Sequence, residues 1–458
     1  MNIAIFTDTY LPDINGVAAS VFTLAEELEK RGHKVYIFTG SKEKKEEKEE
    51  TFYQWASDLW QKAFSEILEE KPIRKVYRLP SLSISFLKPH RMGTPISLNA
   101  FRMMKKLDID IVHTQTEFLI GFLGMSMASA YRLPVVHTYH TMYEDYTHYI
   151  AKGTIVTPEM ARSYSKFFCN QADCVVAPTR KTLDHLRSYG VKRDIHTIPT
   201  GINLEPFSKE SHPEEEISEL RRSMKLAPEV PVILFLGRMA KEKSIDILLS
   251  KMPMILEKIP NAKLLLVGTG PAEEDLRKMA NTLGIEESVI FAGRVPYTEV
   301  GKYYQLGDVF VSCSTSETQG LTYYEAIAAG VPVLARRDES IEDFFESEKN
   351  CLLFDDEDTL PELLVRIMED KALSKKLSIK ASEGMAEISS QCFGQRIEDV
   401  YMNAIDKEVI RRKKKNHSIK TKQKKTMRQR LLRSKAYTGR IISGTTKSIK
   451  NLTRDNKK

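Results

Sequence analysis

Short apolar runs recur along the chain, and amphipathic stretches lie between most of them. Asn2–Phe6 reads as a buried strand. Pro12 and Gly16 break the segment that follows. From Val17 to Arg31 apolar residues recur at Val17, Val21, Leu24, Ala25 and Leu28, which predicts a helix ending at Gly32. Val35–Phe38 is the next strand, and Ile109–His113, Pro134–His137, Cys174–Ala177 and Ile195–Ile198 continue the series. A second series starts after Pro231. Val232–Leu236 runs into Gly237, Lys263–Val267 into Gly268-Thr269-Gly270, and Val289–Phe291 towards Gly293. Asp308–Ser312 and Val331–Ala335 complete it. Strands alternating with helices predict α/β architecture with parallel sheets covered on both faces. Strands that end in glycine-containing loops are where doubly wound sheets build ligand sites. Two such domains are expected to face a cleft, joined near Pro206–Glu216, where Phe207 is the only large apolar residue between Glu205 and Glu216.

Length agrees with this division: 458 residues suit two or three domains at about 100–200 residues each. The longest uncharged apolar stretch, Leu119–Tyr131, is short of the ~20 residues a membrane span needs. The first residues carry no positive region before their apolar run, so no signal peptide is expected. Five cysteines (Cys169, Cys174, Cys313, Cys351 and Cys392), with no Cys-x-x-Cys, argue for reduced thiols and a cytoplasmic setting, and against a structural zinc site.

Charge changes the picture at the C-terminus. Lys407–Lys458 holds 20 Lys and Arg against two acids, a net of +18, which leaves the rest at −11 when the whole chain is +7. An acidic body therefore carries a basic tail. Arg411, Arg412, Lys413, Lys414 and Lys415 form a run of cations, with leucines and isoleucines interspersed further on. Such a segment gains ~1 kcal/mol per cation near an anionic leaflet. Nucleic acid would offer similar electrostatics, but the tail has one aromatic, Tyr437, and no binding fold, so no nucleic-acid partner is expected. A solubilising tail is the third reading. After the charged run Lys42–Glu50, residues Phe52, Trp55, Leu59, Ala63, Ile67 and Leu68 recur at helical spacing, with Trp60 and Phe64 beside them. This helix either packs on its own domain or lies at a membrane interface through Trp55 and Trp60.

The strongest chemical signal is Ser314–Pro332, STSETQGLTYYEAIAAGVP. Gly320 follows a strand and opens a helix, which leaves the N–H groups of Leu321 and Thr322 available to phosphate. Glu317 on the loop can accept hydrogen bonds from sugar hydroxyls, and Glu325 on the helix can hold a ribose diol. Two glutamates at this spacing are ordinarily just solvated. The strand, glycine and helix around them favour a site.

Glu317, seven intervening residues, Glu325, then Gly330, Pro332 and Val333 resemble the signature of family four, the retaining glycosyltransferases of GT-B fold. The resemblance extends over roughly residues 1–406. It implies donor-phosphate roles for Arg238 and Lys243, after the strand ending at Gly237, where two cations stabilise charge on a leaving diphosphate. It implies that the stretch Gly293-Arg294-Val295 contacts the uracil base, with Val295 as the contact residue, and that Gly16 lets the backbone approach donor phosphates, although Asn15 replaces a second family glycine. In His137-Thr138-Tyr139-His140 it places a functional histidine at His140, on the acceptor side. His113 sits at the end of another expected strand, and that position makes it a further acceptor-side candidate. His140, Arg238, Lys243 and Glu317 are thus the expected catalytic residues. Gly16, Arg238, Lys243, Val295, Glu317, Gly320, Leu321, Thr322 and Glu325 are the expected donor contacts.

The resemblance also implies retention of anomeric configuration without an enzymic nucleophile. The sequence offers no His/Cys ligand cluster, so no obligatory metal is expected, and at most assistance by Mg²⁺ bound with the nucleotide. The expected domains are 1–205 on the acceptor side, 206–385 for the nucleotide sugar, a helix at 386–406 packing back on the first, and the tail 407–458. Within the family, SETQGLTYYEA and DTYLPDINGVAASV look most like the branch that glucosylates diacylglycerol from UDP-glucose. That branch implies an enzyme peripheral to the inner face of the cell membrane. A glucosyl-lipid acceptor, a capsule or teichoic-acid precursor, UDP-galactose as donor, and a non-catalytic binding protein remain as alternatives.

Overall fold

The computed structural model describes residues 1–11, 15–40, 75–79, 81–83, 91–93, 98–144, 157–314 and 316–414. Residues Met1–Met402 form one compact unit and Asn403–Lys458 a second.

The first sheet is built on apolar runs buried on both faces, as parallel strands require. Its elements are β1 (Asn2–Phe6), α1 (Gly16–Lys30), β2 (Lys34–Gly40), β3 (Lys75–Leu79), the small antiparallel pair β4 (Ser81–Ser83) and β5 (Arg91–Gly93), α2 (Leu98–Lys106), β6 (Ile111–Thr114), α3 (Leu119–Tyr131), β7 (Val135–Thr138), α4 (Pro158–Cys169), β8 (Cys174–Ala177), α5 (Arg180–Ser188) and β9 (Asp194–Thr197). Seven parallel strands lie in the order β3-β2-β1-β6-β7-β8-β9. The order reverses between β1 and β6, which opens a crevice at their carboxyl ends. Phe6 and Phe38 lie opposite one another in register and stack at 4.6 Å. The uncharged stretch 119–131 is a helix with Ile120, Leu123 and Met127 wholly buried. Among the described residues no helix is long and apolar enough to cross a membrane.

The second sheet follows the same logic. α6 (Glu214–Ser223) leads into β10 (Val232–Leu236), α7 (Ile245–Lys258), β11 (Lys263–Val267), α8 (Glu273–Thr282), β12 (Val289–Gly293), α9 (Tyr297–Tyr304), β13 (Val309–Ser312), α10 (Leu321–Ala328), β14 (Val333–Arg336), β15 (Leu352–Phe354), α11 (Leu360–Glu369) and α12 (Lys371–Ser382). Six parallel strands order as β12-β11-β10-β13-β14-β15, with the reversal between β10 and β13. One apolar cluster covers each face of this sheet.

The strand series expected from sequence is present, with ends shifted by up to two residues. β3, the β4–β5 pair and β15 were not expected. β15 has three residues, and β3 carries Lys75, Val76 and Arg78 on an exposed edge. Neither offers a buried run long enough to register as a pattern.

The chain then returns to the first sheet. Residues 390–402 are helical. Ser390 Oγ lies 3.1 Å from Glu27, Glu398 pairs with Arg31 and His33, and the hydroxyl of Tyr401 lies 2.6 Å from His113 Nδ1. In the second unit, residues 403–414 are helical and exposed on most of their surface, and Glu408 pairs with Arg411 and Arg412.

Candidate active site

The carboxyl ends of both sheets meet through a set of short polar contacts. Thr179, after β8, donates to the Thr318 carbonyl at 3.1 Å. The Lys181 ammonium reaches both Asp338 oxygens at 2.8 and 2.9 Å, and the Arg180 amide donates to Asp343. Gln319, 5% exposed, exchanges two hydrogen bonds with the backbone of Thr200, at 2.8 and 2.9 Å. These contacts hold the loop after β13, and the segment after β14, against the first sheet. The sequence did not single out Gln319, Lys181 or Asp338.

That loop carries the second-sheet half of the site. Gly320 adopts φ 72°, a left-handed conformation suited to glycine, and a Cβ there would strike the Tyr323 ring. It starts α10 without a side-chain cap, so the first-turn amides of Leu321 and Thr322 lack that partner. Glu317 and Lys243 form an ion pair at 2.5 Å, with 11% and 22% of their side chains exposed. Lys243 is placed by a single 3₁₀ turn, Lys241–Lys243, whose Glu242 carbonyl accepts from Ser314. Arg238 follows β10 and is exposed. Glu325 is 6% exposed, and the buried Tyr304 hydroxyl lies 2.8 Å from its Oε2. Val295 is partly exposed and lines a groove with Glu216, Leu220, Glu299 and Tyr303.

The first-sheet half is neutral or buried. Asn15, in place of the family's second glycine, caps α1: its side chain accepts from the Ala18 amide at 2.9 Å. A Cβ on Gly16 would meet nothing within 4 Å among the described residues beyond its chain neighbours, so packing against those residues does not demand glycine there. His140 is partly buried and its Nε2 lies 2.7 Å from Gln115 Oε1. Burial, and then proximity to His137, push its pKa down to about 3, so the ring is neutral at physiological pH. His113, expected on the acceptor side, is wholly buried, with ring nitrogens 2.6 Å from the Tyr401 hydroxyl and 2.7 Å from Thr138 Oγ1. This corrects the expectation: His113 supports the site from beneath and has no exposed surface for an acceptor.

Two acidic residues missed by the sequence reading lie nearby. Glu117, 1% exposed, faces His137 Nε2 at 3.1 Å and accepts from the Tyr143 hydroxyl at 2.5 Å. Asp8, at the crevice between β1 and β6, accepts from Thr116 Oγ1 at 2.6 Å and the Ile120 amide at 3.2 Å. Burial raises its pKa to about 6. No group of three or more His, Cys, Asp or Glu suited to a metal occurs among the described residues. The chain does contain two Asp-x-Asp triplets, a common metal-binding spacing, at Asp108–Asp110 and Asp356–Asp358. Asp110 accepts from the Asn2 amide at the opposite edge of the sheet, and Asp358 pairs with Lys251. Both triplets have structural partners. Trp55, Trp60 and Lys415 lie outside the described residues, and Arg411, Arg412, Lys413 and Lys414 are exposed in the second unit.

Residues 14–206 match Glycosyltransferase Family 4, and residues 216–384 match Glycosyl transferases group 1. An alpha-monoglucosyldiacylglycerol synthase of Streptococcus pneumoniae is 36% identical over 406 residues, 88% of this chain and 86% of the relative. The chain belongs to the family 4 glycosyltransferases. A second alpha-monoglucosyldiacylglycerol synthase, from Acholeplasma laidlawii, is 34% identical to this glycosyltransferase and is covered over 98% of its length. Among solved structures, Anabaena HepE in complex with UDP and glucose superposes with a TM-score of 0.69 at 16% identity, covering 88% of this chain and all of that one. Sucrose-phosphate synthase of Thermosynechococcus elongatus gives 0.67 at 22% identity, over 88% and 98%. At these identities the structures establish the shared two-domain fold.

Proposed function

We propose that this glycosyltransferase moves glucose from UDP-glucose to the 3-hydroxyl of 1,2-diacylglycerol, with retention of configuration, to give α-monoglucosyl-diacylglycerol. The observation that carries this reading is the nearly full-length similarity to two alpha-monoglucosyldiacylglycerol synthases.

The geometry supports the donor half of the reaction. The Leu321 and Thr322 amides at the start of α10, with Arg238 and Lys243, offer donors and positive charge to a diphosphate. Arrival of the donor divides the Lys243–Glu317 pair: the ammonium turns to phosphate, and the carboxylate is freed for a hexose hydroxyl. Fixed cations stabilise charge on the departing phosphate oxygen in the transition state. Glu325, held by Tyr304, is assigned to the ribose, Val295 to the base, and Gly16 to close approach of backbone and phosphate. His140 contacts the sugar or orients the acceptor hydroxyl. The residue set supplies the leaving phosphate as the nearest base for the acceptor proton, with Mg²⁺ as an optional companion of the nucleotide.

A lipid acceptor requires docking. The basic tail, including Arg411–Lys415, and Trp55 and Trp60 are assigned to the anionic inner face of the membrane, where cations gain ~1 kcal/mol each. The test is incubation with radiolabelled UDP-glucose, and separately UDP-galactose, on vesicles of diacylglycerol and anionic lipid. Labelled lipid from UDP-glucose that depends on diacylglycerol is the expected result. Slow UDP release without labelled lipid would move the acceptor to a glucolipid or a soluble precursor. Folded protein that yields neither would overturn the enzyme reading.

A further inference from the structure

His140 is reached from inside the first domain by a continuous polar chain. Gln115 follows β6 directly and is 1% exposed, with its amide N–H bonded to the Phe6 carbonyl across the β1–β6 crevice. Its side-chain oxygen faces His140 Nε2 at 2.7 Å. Its side-chain nitrogen lies 3.2 Å from each ring nitrogen of His113. His113 in turn lies between Thr138 and Tyr401, the latter on helical residues 390–402. A side-chain amide has distinct ends: its oxygen accepts and its nitrogen donates. Turning Gln115 around would take the acceptor away from His140.

We infer that Gln115 is a positioning residue that fixes the tautomer of His140, placing the proton on Nε2 and keeping Nδ1 as the acceptor nitrogen. A neutral imidazole has one donor and one acceptor nitrogen, and the bond made by one decides the state of the other. With Nε2–H committed to Gln115, the ring presents a lone pair to a hydroxyl proton of sugar or acceptor. The inference rests on the reading of His140 given above and adds which nitrogen acts and what selects it. Among the described residues, the ionisable groups around the ring are His113 on β6 and His137 on β7. Tyr401 stands beyond His113, and Glu117 beyond His137. An amide at position 115 orients the ring without adding a charge that would protonate it. A carboxylate in the same place would keep the acceptor oxygen and favour the imidazolium.

The experiment uses the full-length protein with ¹⁵N-labelled histidine, and His140→Ala assigns the signal. The wild type is expected to show protonated Nε2 and unprotonated Nδ1. An Nδ1–H tautomer overturns the inference without any variant. Gln115→Leu is expected to mix the tautomers and to lower kcat at least tenfold with little change in KM for the donor. Gln115→Glu is expected to move the acid limb of the pH–rate profile up by a unit or more, and to recover activity over Gln115→Leu at high pH. Equal losses in both variants at every pH, with wild-type tautomer and lowered melting temperature, would reduce Gln115 to packing. An active His140→Ala enzyme would remove the reading of His140 and leave the tautomer result standing.

Discussion

At the carboxyl edge of the second sheet, Lys243 and Glu317 stand 2.5 Å apart, a charged pair still partly open to solvent. At the matching edge of the first sheet, His140, Gln115 and His113 form a neutral chain that disappears into the interior. Both edges lie at a topological switch point of the same kind of sheet, so topology does not explain the contrast. The ligands expected there do. A nucleoside diphosphate sugar brings charge to the second sheet, and fixed opposite charge compensates it. A diacylglycerol hydroxyl brings none, and a charge buried beside it would cost desolvation without a partner. The first sheet therefore handles direction, through tautomers and hydrogen bonds, where the second handles charge.

The largest expected effect breaks the charged side. Lys243→Met should lower kcat/KM by about 10³, because the diphosphate loses a cation in the transition state. Glu317→Gln should cost about 10², falling on kcat. The two residues touch, so the double variant should lose less than the product of the single losses. Strictly multiplicative losses in steady-state kinetics would contradict a pair that donor binding divides.

What the sequence made legible follows the same contrast. Glu317, Gly320 and Glu325 lie within nine residues, and one strand–loop–helix unit generates their geometry. Most strands were legible too, because parallel strands buried on both faces are unbroken apolar runs. Gln115 and His140 are 25 residues apart, Asp8 and Thr116 are 108 apart, and Thr200 and Gln319 are 119 apart. No local period joins residues that distant, and a buried glutamine reads like any loop residue until the sheets are assembled. His113 illustrates the converse: its strand-end position suggested access, and only the return of residues 390–402 shows that Tyr401 closes over it.

A medium effect tests how firmly the two sides are joined. Gln319 makes both of its hydrogen bonds to the Thr200 backbone across the sheets. Gln319→Leu keeps the volume and leaves a buried N–H and C=O without partners, at about 1–3 kcal/mol. Because the loop it anchors also carries Glu317, activity should fall about tenfold with a raised KM for the donor. Donor titration and a thermal melt read both. Lost stability with an unchanged KM would show that the anchor serves packing and leaves donor placement alone.

The smallest effect concerns Asp8, which with Glu117 is one of two acidic residues beside the neutral chain. Its pKa rises to about 6 in the fold from 3.8, burial being the main cause, so the folded state binds the proton more tightly than the unfolded chain. The sign follows: the group favours folding below pH ~4, and that contribution is lost as the pH rises through about 6. At pH 8 the carboxylate is ionised against its surroundings, with Glu117 nearby adding like charge. Asp8→Asn keeps an oxygen for the Ile120 amide and removes the charge. It should stabilise the protein by about 1 kcal/mol at pH 8, less than the full shift implies because Asp8 keeps some solvent contact. The gain should vanish near pH 4, where the wild-type carboxyl is protonated in both states. Melting temperatures at pH 8, 6 and 4 separate this from a plain packing change, which would shift all three alike. A variant less stable at pH 8 would mean that the Thr116 and Ile120 hydrogen bonds to the carboxylate outweigh its desolvation, and that the neutral side tolerates a charge after all.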